Sequence, residues 1–371
     1  MTRQVHDTII VGGGAAGIGV AVALKDAGVD DILVLEGRRV GSSFSGWPGE
    51  TRFLTPSFPT NSVGMLDLNS ITIGTSPGFS LEVEHPTGRD YAFYLRQVAR
   101  VFQVPVREQT IVLRITRIAD EFVIDTEEDT LRAKHVVWAA GEFQYPRLKG
   151  FVGSKYCRHT SMVDRYENLE GDDFIVIGGF ESGIDAAYHL SREGRNVRIF
   201  DRGCPWEEST SDPSIALSTY SIERMREECF TEHVRLHSET PIRSVARSDE
   251  GYEVLTMDDR RYVTPVQPIL ATGFVGSHGL VMDLFEQRDD GFPLLDDNDQ
   301  STRVPGVFLC GPAVRHGDHI FCFIFKFRMR FAVVAKAIAT SLGLPAKRLE
   351  EYRHWGMYLD DLSCCGEECI C

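Results

Sequence analysis

Apolar residues fall in short blocks along this chain, and two of the blocks open the same succession of elements. The first, His6 to Val11, reads as a strand and runs straight into Gly12-Gly13-Gly14-Ala15-Ala16-Gly17. A run with helical spacing, Ile18 to Asp26, follows, and a second apolar block, Ile32 to Leu35, ends on Glu36. The second copy begins with Phe174 to Ile177 and runs into Gly178-Gly179-Phe180-Glu181-Ser182-Gly183. A helical run to Arg192 follows, and Val197 to Phe200 ends on Asp201. Short apolar blocks broken by glycine and followed by a longer periodic run are strands feeding helices.

The spacing has a physical logic. Gly12 permits a tight strand-to-helix turn, Gly14 lets the backbone approach a pyrophosphate, and Gly17 lets helix and strand close up. The pyrophosphate then lies on helix N-terminal amides, those of Ala15 and Ala16 among them. An acidic residue at the end of the second strand accepts hydrogen bonds from a ribose diol. Glu36 stands 24 residues after Gly12, as that geometry requires. The second copy keeps Gly178, Gly183 and the small Ser182, with Asp201 23 residues after Gly178. It carries Phe180 in place of the middle glycine, a ring where a phosphate would approach. Asp201 repels a 2′-phosphate and favours NADH, while the neighbouring Arg202 attracts one and keeps NADPH open. Two such sites predict two dinucleotides, with electrons passing between them.

The parallel extends further. After the first copy come β-rich segments, Ile111 to Ile115 and Glu121 to Asp125, then His135 to Trp138 running into Ala139-Ala140-Gly141. After the second come Ile242 to Ala246 and Tyr252 to Leu255, then Pro268-Ile269-Leu270 running into Ala271-Thr272-Gly273. Repetition of a whole succession points to two related domains. The first is longer: Gly12 to Gly141 spans 129 residues, against 95 for Gly178 to Gly273. Much of the excess lies in Gly41 to Ser80, and a loop of that length is usually functional. It holds Trp47, Phe53, Thr55, Phe58 and Asn61, flat apolar faces and short polar groups suited to an isoalloxazine ring. Pro305 to Pro312 reads as a turn, a buried strand and a glycine tip at Gly311, followed by an amphipathic helical run, Phe323 to Ser341. The expected fold is therefore α/β, with two Rossmann-like three-layer dinucleotide-binding domains, the second inserted in the first. Residues 1–165 and 275–345 form the first, 166–274 the second, and 346–371 a cysteine-rich tail.

Composition narrows the partners. With 371 residues and 43% apolar content, two domains can each bury a core. A net charge of −15, spread along the chain, argues against nucleic acid or an anionic membrane. The most apolar stretch, Ile320 to Phe325, is too short to span a bilayer. The chain enters a strand at once, leaving no room for a signal peptide, so a cytoplasmic location is expected. In that compartment nine cysteines read as thiols, redox groups or metal ligands rather than structural disulfides.

With these residues in view, roughly residues 5 to 345 resemble the flavoproteins with two dinucleotide-binding domains, the superfamily of thioredoxin reductases and flavin-containing monooxygenases. The nearest likeness is to the bacillithiol-disulfide-reductase-like (YpdA-type) branch. It rests on Thr55-Pro56-Ser57-Phe58, on Glu181-Ser182-Gly183-Ile184-Asp185-Ala186-Ala187 and on Phe321-Cys322-Phe323-Ile324-Phe325-Lys326-Phe327-Arg328. The resemblance implies FAD in the first domain. Its contacts would come from Gly12, Gly14, Ala15, Ala16, Gly17, Glu36, Trp47, Thr55, Asn61, Val112, Ala140, Gly141, Gly311 and Pro312. It implies NADH or NADPH in the second domain, at Gly178, Phe180, Glu181, Ser182, Gly183, Asp201, Arg202 and Gly273. Hydride would pass from nicotinamide to flavin. A homodimer is compatible with this reading.

The departures from the family pattern bear on what the electrons do next. The chain has no Cys-x-x-Cys pair and no cysteine before Cys157. Ala16 stands where bacillithiol reductases of this branch carry a cysteine, and Pro312 replaces the aspartate of the usual Gly-Asp. A Phe-x-Gly start at Phe151 resembles the monooxygenase linker, but Cys157 stands where its histidine belongs and His159 follows two residues later. Four cysteines cluster at the end: Cys364, Cys365, Cys369 and Cys371. Leu362-Ser363-Cys364-Cys365-Gly366 resembles the C-terminal pair of mercuric reductases, although the partner dithiol is missing. The tail is open to three readings: an electron or thiol shuttle, a soft-metal site, or incidental thiols. His316 and His319, just after the Gly311 tip, are candidate acid–base groups. His135 reads as structural, Cys310 and Cys322 as core, and Lys326, Arg328 and Arg330 as solvated residues opening the last helix.

The leading expectation is an FAD-dependent NAD(P)H oxidoreductase that delivers electrons to a small-molecule or thiol-type acceptor. A flavin-dependent monooxygenase is the alternative. A non-catalytic redox sensor or soft-metal-binding protein is the third reading.

Overall fold

In the computed structural model, residues 4–59 and 65–363 are described. The chain divides into two compact units. The first takes the residues up to Ser45, Pro56–Gln144 and those from Gly276 on; the second takes Gly46–Thr55 and Tyr145–Val275.

The first unit begins with β1 (His6–Val11), α1 (Ala15–Asp26) and β2 (Ile32–Leu35). The strands pair in parallel, Val11 opposite Leu35, so both end beside the glycine loop. Ten of the twelve residues of α1 are buried, which makes it apolar on every side, as a helix enclosed by its neighbours must be. The helix α2 (Gly88–Val101) is amphipathic, and a capping box starts it: Thr87 accepts from the Asp90 amide, and Asp90 accepts from the Thr87 amide. Then come β3 (Val106–Arg107), β4 (Val112–Ile118), β5 (Glu121–Thr126) and β6 (Thr130–Trp138). The sheet order is β3-β2-β1-β6-β5-β4. Its β1–β6 pairing is parallel, and β4, β5 and β6 form an antiparallel meander.

The second unit repeats the plan with β7 (Arg158–His159), β8 (Asp173–Ile177), α3 (Glu181–Arg192) and β9 (Asn196–Phe200). Two short helices follow, α4 (Thr219–Met225) and α5 (Glu228–His233), and then β10 (Val234–His237). A separate antiparallel sheet of β11 (Ile242–Ser248), β12 (Gly251–Thr256) and β13 (Arg261–Thr264) precedes β14 (Ile269–Leu270). The main sheet is ordered β10-β9-β8-β14-β7, and all its pairs are parallel. The boundary falls earlier than residue 165, because β7 at Arg158 and His159 pairs with β14 and so binds the preceding segment to this sheet.

The chain then returns to the first unit. There β15 (Val307–Leu309) adds to β6 in parallel, and α6 (Phe331–Ser341) lies against α1. The two helices touch so closely at Gly19 that a Cβ there would sit 2.1 Å from the Phe331 ring. The helical run expected from Phe323 to Ser341 is broken into a turn at Ile324–Phe327, a 3₁₀ turn at Arg328–Arg330 and α6.

The same stretch corrects the expectation of solvated cations, because Arg328 and Arg330 are buried. Arg330 pairs with Asp299, and Arg328 donates to the carbonyls of Asp67 and Ser70. Side-chain hydrogen bonding replaces water at both sites. Cys310 is buried as expected, but Cys322 is only partly buried.

Candidate functional site

Both glycine loops have the same geometry. Gly12 and Gly178 adopt φ of +113° and +107°, a region that suits glycine. A Cβ on either would meet a backbone oxygen of the neighbouring strand end, Ala139 at 2.4 Å or Ala271 at 2.3 Å. A Cβ on Gly17 would lie 1.8 Å from the Gly12 oxygen, and one on Gly183 would lie 2.0 Å from that of Gly178. Gly141 and Gly273 end the matching strands with φ of +68° and +71°, with open space beside each. Gly14 also faces open space, with no atom within 4 Å of an added Cβ. No side chain caps α1 or α3, so their first amides stay available.

The acidic strand ends match as well. Glu36 Oε2 accepts the Gly13 amide at 2.7 Å, and its Oε1 accepts the Arg38 amide and the Ser42 hydroxyl. Asp201 Oδ2 accepts the Gly179 amide at 2.6 Å, and its Oδ1 accepts that of Gly203 at 2.8 Å. Each carboxylate is thus held beside its loop before any ligand arrives. Arg202 is exposed.

The second loop differs in what surrounds it. Phe180 is partly buried and packs against the hydrophobic core of its unit. Trp206 lies over Gly179, and a Cβ there would meet its ring at 2.4 Å. Glu181, in the first turn of α3, is buried. Its carboxylate accepts from the Ser218 amide and the Ser221 hydroxyl, both at 2.5 Å. Burial pushes its carboxyl up, and these hydrogen bonds oppose the rise.

One turn on, Asp185 is buried in a polar cluster that composition did not single out. Burial alone would raise its carboxyl, but His189 and the Arg224 charge hold it well below the usual range. It accepts from Arg224 at 2.7 Å and from the Thr51 hydroxyl at 2.7 Å. That last bond anchors the segment Gly46–Thr55 in the second unit, where the Trp47 ring lies tilted against that of Phe53, centroids 5.1 Å apart. Of the five loop residues expected around a flavin ring, Trp47, Phe53 and Thr55 therefore belong to the second unit. Phe58 belongs to the first and is exposed, and Asn61 lies outside the described residues.

In the first unit, Gly311 (φ +109°) approaches α1: an added Cβ would meet the Ala16 side chain at 3.1 Å. The strand end expected at Gly311-Pro312 is thus brought to the first glycine loop. Arg315 donates to the Pro312 carbonyl at 2.6 Å. His316 and His319 face each other across a short hairpin, and His316 Nε2 lies 2.5 Å from Asp299. Val112 opens β4, remote in sequence from these contacts. Asp299 carries no local sign of burial in the sequence, being one of three aspartates in the run of five acidic or amide residues from Asp296 to Gln300.

The described cysteines, Cys157, Cys204, Cys229, Cys310 and Cys322, are thiols not joined in disulfides. Burial pushes the Cys157 thiol up to about 12 and that of Cys310 well above its ordinary value. Among the described residues no group of three metal-ligating side chains is poised for a metal. Cys364, Cys365, Cys369 and Cys371 lie outside them. No described helix is long and apolar enough to cross a membrane.

Comparison with known proteins supplies a family match and several relatives. The model of the family described as pyridine nucleotide-disulphide oxidoreductase matches residues 9–311. An uncharacterized oxidoreductase, CzcO, of Bacillus velezensis is 27% identical over 195 residues, 51% of this chain and 52% of that protein. The chain thus spans about half the length of that relative. Bacilliredoxin reductase Bdr of Bacillus subtilis is 24% identical over 341 residues, 89% of this chain and 97% of the relative. Among solved structures, bacillithiol disulfide reductase Bdr (YpdA) of Staphylococcus aureus superposes with a TM-score of 0.73 at 20% identity. The match covers 92% of this chain and 99% of that one. A flavin-containing monooxygenase of Stenotrophomonas maltophilia reaches 0.71 at 15% identity, covering 92% of this chain and 100% of its own. At these identities the superpositions establish the shared fold of two Rossmann-like domains.

Proposed function

The chain belongs to the pyridine nucleotide-disulphide oxidoreductase family, and from that premise we propose an FAD-dependent NAD(P)H oxidoreductase serving a small acceptor of disulfide or thiol type. Membership makes the chain an oxidoreductase and implies flavin and nicotinamide cofactors. The observation that carries the reading is the duplicated cradle: an uncapped helix start, glycines packed against backbone oxygen, and a carboxylate held by the second glycine's amide.

The first cradle fits FAD. The open space at Gly14 admits a pyrophosphate, the amides of Ala15 and Ala16 would bind it, and Glu36 would accept from a ribose. Gly311, close to Ala16, would line the same site. The second cradle fits a nicotinamide dinucleotide, since Gly178 and Gly183 keep the turn and the partly buried Phe180 packs against the core. Asp201 there favours the 2′-hydroxyl of NADH. A flavin bound in the first unit would supply hydride acceptance from nicotinamide and delivery of two electrons to the acceptor.

The chain's own residues would then orient and exclude. Glu36 fixes the ribose end, and the helix starts hold phosphate. His316, fixed by its contact with Asp299, is the candidate acid–base group of the hairpin that follows the Gly311 tip. Electrons would leave from the flavin directly or through Cys364, Cys365, Cys369 and Cys371. Cytoplasmic residence and a homodimer belong to the same reading.

The test is direct. Purified protein should carry one FAD per chain, and anaerobic mixing with NADH should bleach it faster than NADPH does. A colourless protein that takes up no FAD would overturn the proposal. A second reading, flavin-dependent monooxygenase, is favoured by one fact, the absence of any Cys-x-x-Cys pair in the sequence. Oxygen uptake tightly coupled to substrate turnover would select it over the reductase.

A further inference from the structure

The parallel strands β1, β6 and β15 of the first unit all end at the glycine side, leading into Gly12, Ala139 and Gly311. A cavity of about 560 Å³ opens at their other end, where Pro305 and Gly306 lead into β15. Its position excludes it as the dinucleotide cradle. Its volume is within the range of about 300–1,000 Å³ typical of small-molecule sites.

The lining charge is unlike that of the chain. Arg117 of β4, Lys134 of β6 and Lys336 of α6 reach the cavity from three separate elements, and among the described residues no carboxylate lines it, in a chain of net charge −15. Arg117 and Lys336 make no ion pair among the described residues. Arg117 is held in place, donating to the carbonyls of Pro305 and Ala119, both at 3.2 Å. Lys134 shares its charge with Asp7 at 2.7 Å. The last turn of α6 also faces the cavity and brings about half a negative charge. With Lys134 paired to Asp7, the two remaining cations, Arg117 and Lys336, still exceed what that helix end can balance.

The remaining lining supplies neutral donors and an apolar wall. Asn298, Gln300 and Thr340 add polar groups, and Phe308 closes the deep side. His135, also at the wall, is buried between the Asp7 carbonyl and the Ser341 hydroxyl, and burial lowers its affinity for a proton.

We propose that this cavity binds a phosphomonoester, a small organic molecule carrying one dianionic phosphate, at a site separate from both glycine loops. A doubly charged group matches several cations with neutral donors better than a monocarboxylate does, because charge-assisted hydrogen bonds to phosphate are the strong ones. The site needs neither flavin nor nicotinamide, so it stands or falls apart from the oxidoreductase reading.

Calorimetric titration of the full chain as purified, with ribose 5-phosphate, tests the proposal, with inorganic phosphate as a second probe. One saturable site is expected, weakened by added salt. The double variant Arg117→Gln, Lys336→Gln should bind at least roughly tenfold more weakly, the loss expected from charge-assisted bonds. Lys336→Arg should keep binding. Absence of saturable binding, or unchanged affinity in the double variant, overturns the proposal. A second measurement uses the unaltered chain: ribose 5-phosphate should protect Lys134 and Lys336 from acylation, read by peptide mass spectrometry. Equal labelling with and without the ligand would also overturn it.

Discussion

Arg330 and Asp299 form an ion pair with both side chains withdrawn from solvent: Nη2 lies 2.8 Å from Oδ1 and Nε 3.0 Å from Oδ2. The same carboxylate meets His316, so one buried aspartate ties the start of α6 to the hairpin after Gly311. Removing the guanidinium would leave a buried charge with only the histidine. Arg330→Met should therefore cost about 3–5 kcal/mol of stability. Urea denaturation with an unchanged slope measures this, and a loss below about 1 kcal/mol would show that the pair is not fully desolvated.

Gly14 separates folding from cofactor binding. An added Cβ meets nothing in the chain, so Gly14→Ala should melt as the wild type does without cofactor. With FAD present, the methyl group intrudes where the pyrophosphate approaches, and flavin retention should fall by at least about tenfold. Gly17→Ala is the contrast, since its Cβ collides with backbone at 1.8 Å and the fold itself should suffer. Flavin content and apo melting temperature, compared across both variants, decide the point.

Asp201→Asn keeps an acceptor for the Gly179 amide while removing the charge. The kcat/KM ratio of NADPH to NADH should rise by about tenfold, the worth of one charge-assisted bond to ribose and the relief of phosphate repulsion. Steady-state kinetics with both nucleotides reads the ratio. No change would mean that Asp201 serves the loop alone.

Glu181 gives a pH signature. Burial raises its folded carboxyl above the ordinary value of 4.5, so the folded state holds a proton that the unfolded chain releases. Its contribution to stability is complete below the ordinary value and is lost as pH rises through the raised one. Glu181→Gln removes that slope. The stability of the variant relative to wild type should grow from about pH 4.5 upward, measured by urea denaturation at several pH values. A difference independent of pH would refute the assignment.

The residues around the two glycine loops were legible because their constraints are local. Gly12 and Gly178 take their conformations from the chain's own turn, and Glu36 and Asp201 reach their loops from the ends of adjacent strands. Phe180 is readable as a departure but not in its effect, because the packing of its ring against the core is set by the folded unit. Trp47 and Thr55 looked like neighbours of Phe58, but a bond from Thr51 to Asp185, 134 positions away, assigns their segment to the second unit.

The sequence by itself determined the two α/β units, their glycine loops and their acidic strand ends, because turns and strand ends depend on backbone freedom and short-range spacing. Only the tertiary structure decided which charges are buried. Arg328, Arg330, Asp299 and Asp185 look like surface residues in the chain and are withdrawn from water in the fold. A charge enters the interior only when a partner meets it there, and each of these partners arrives from a distant stretch of sequence: Asp67 and Ser70 to Arg328, Arg330 to Asp299, Arg224 and Thr51 to Asp185. The cavity between Arg117, Lys134 and Lys336 has the same origin, since only the folded sheet and its last helix bring those three cations together.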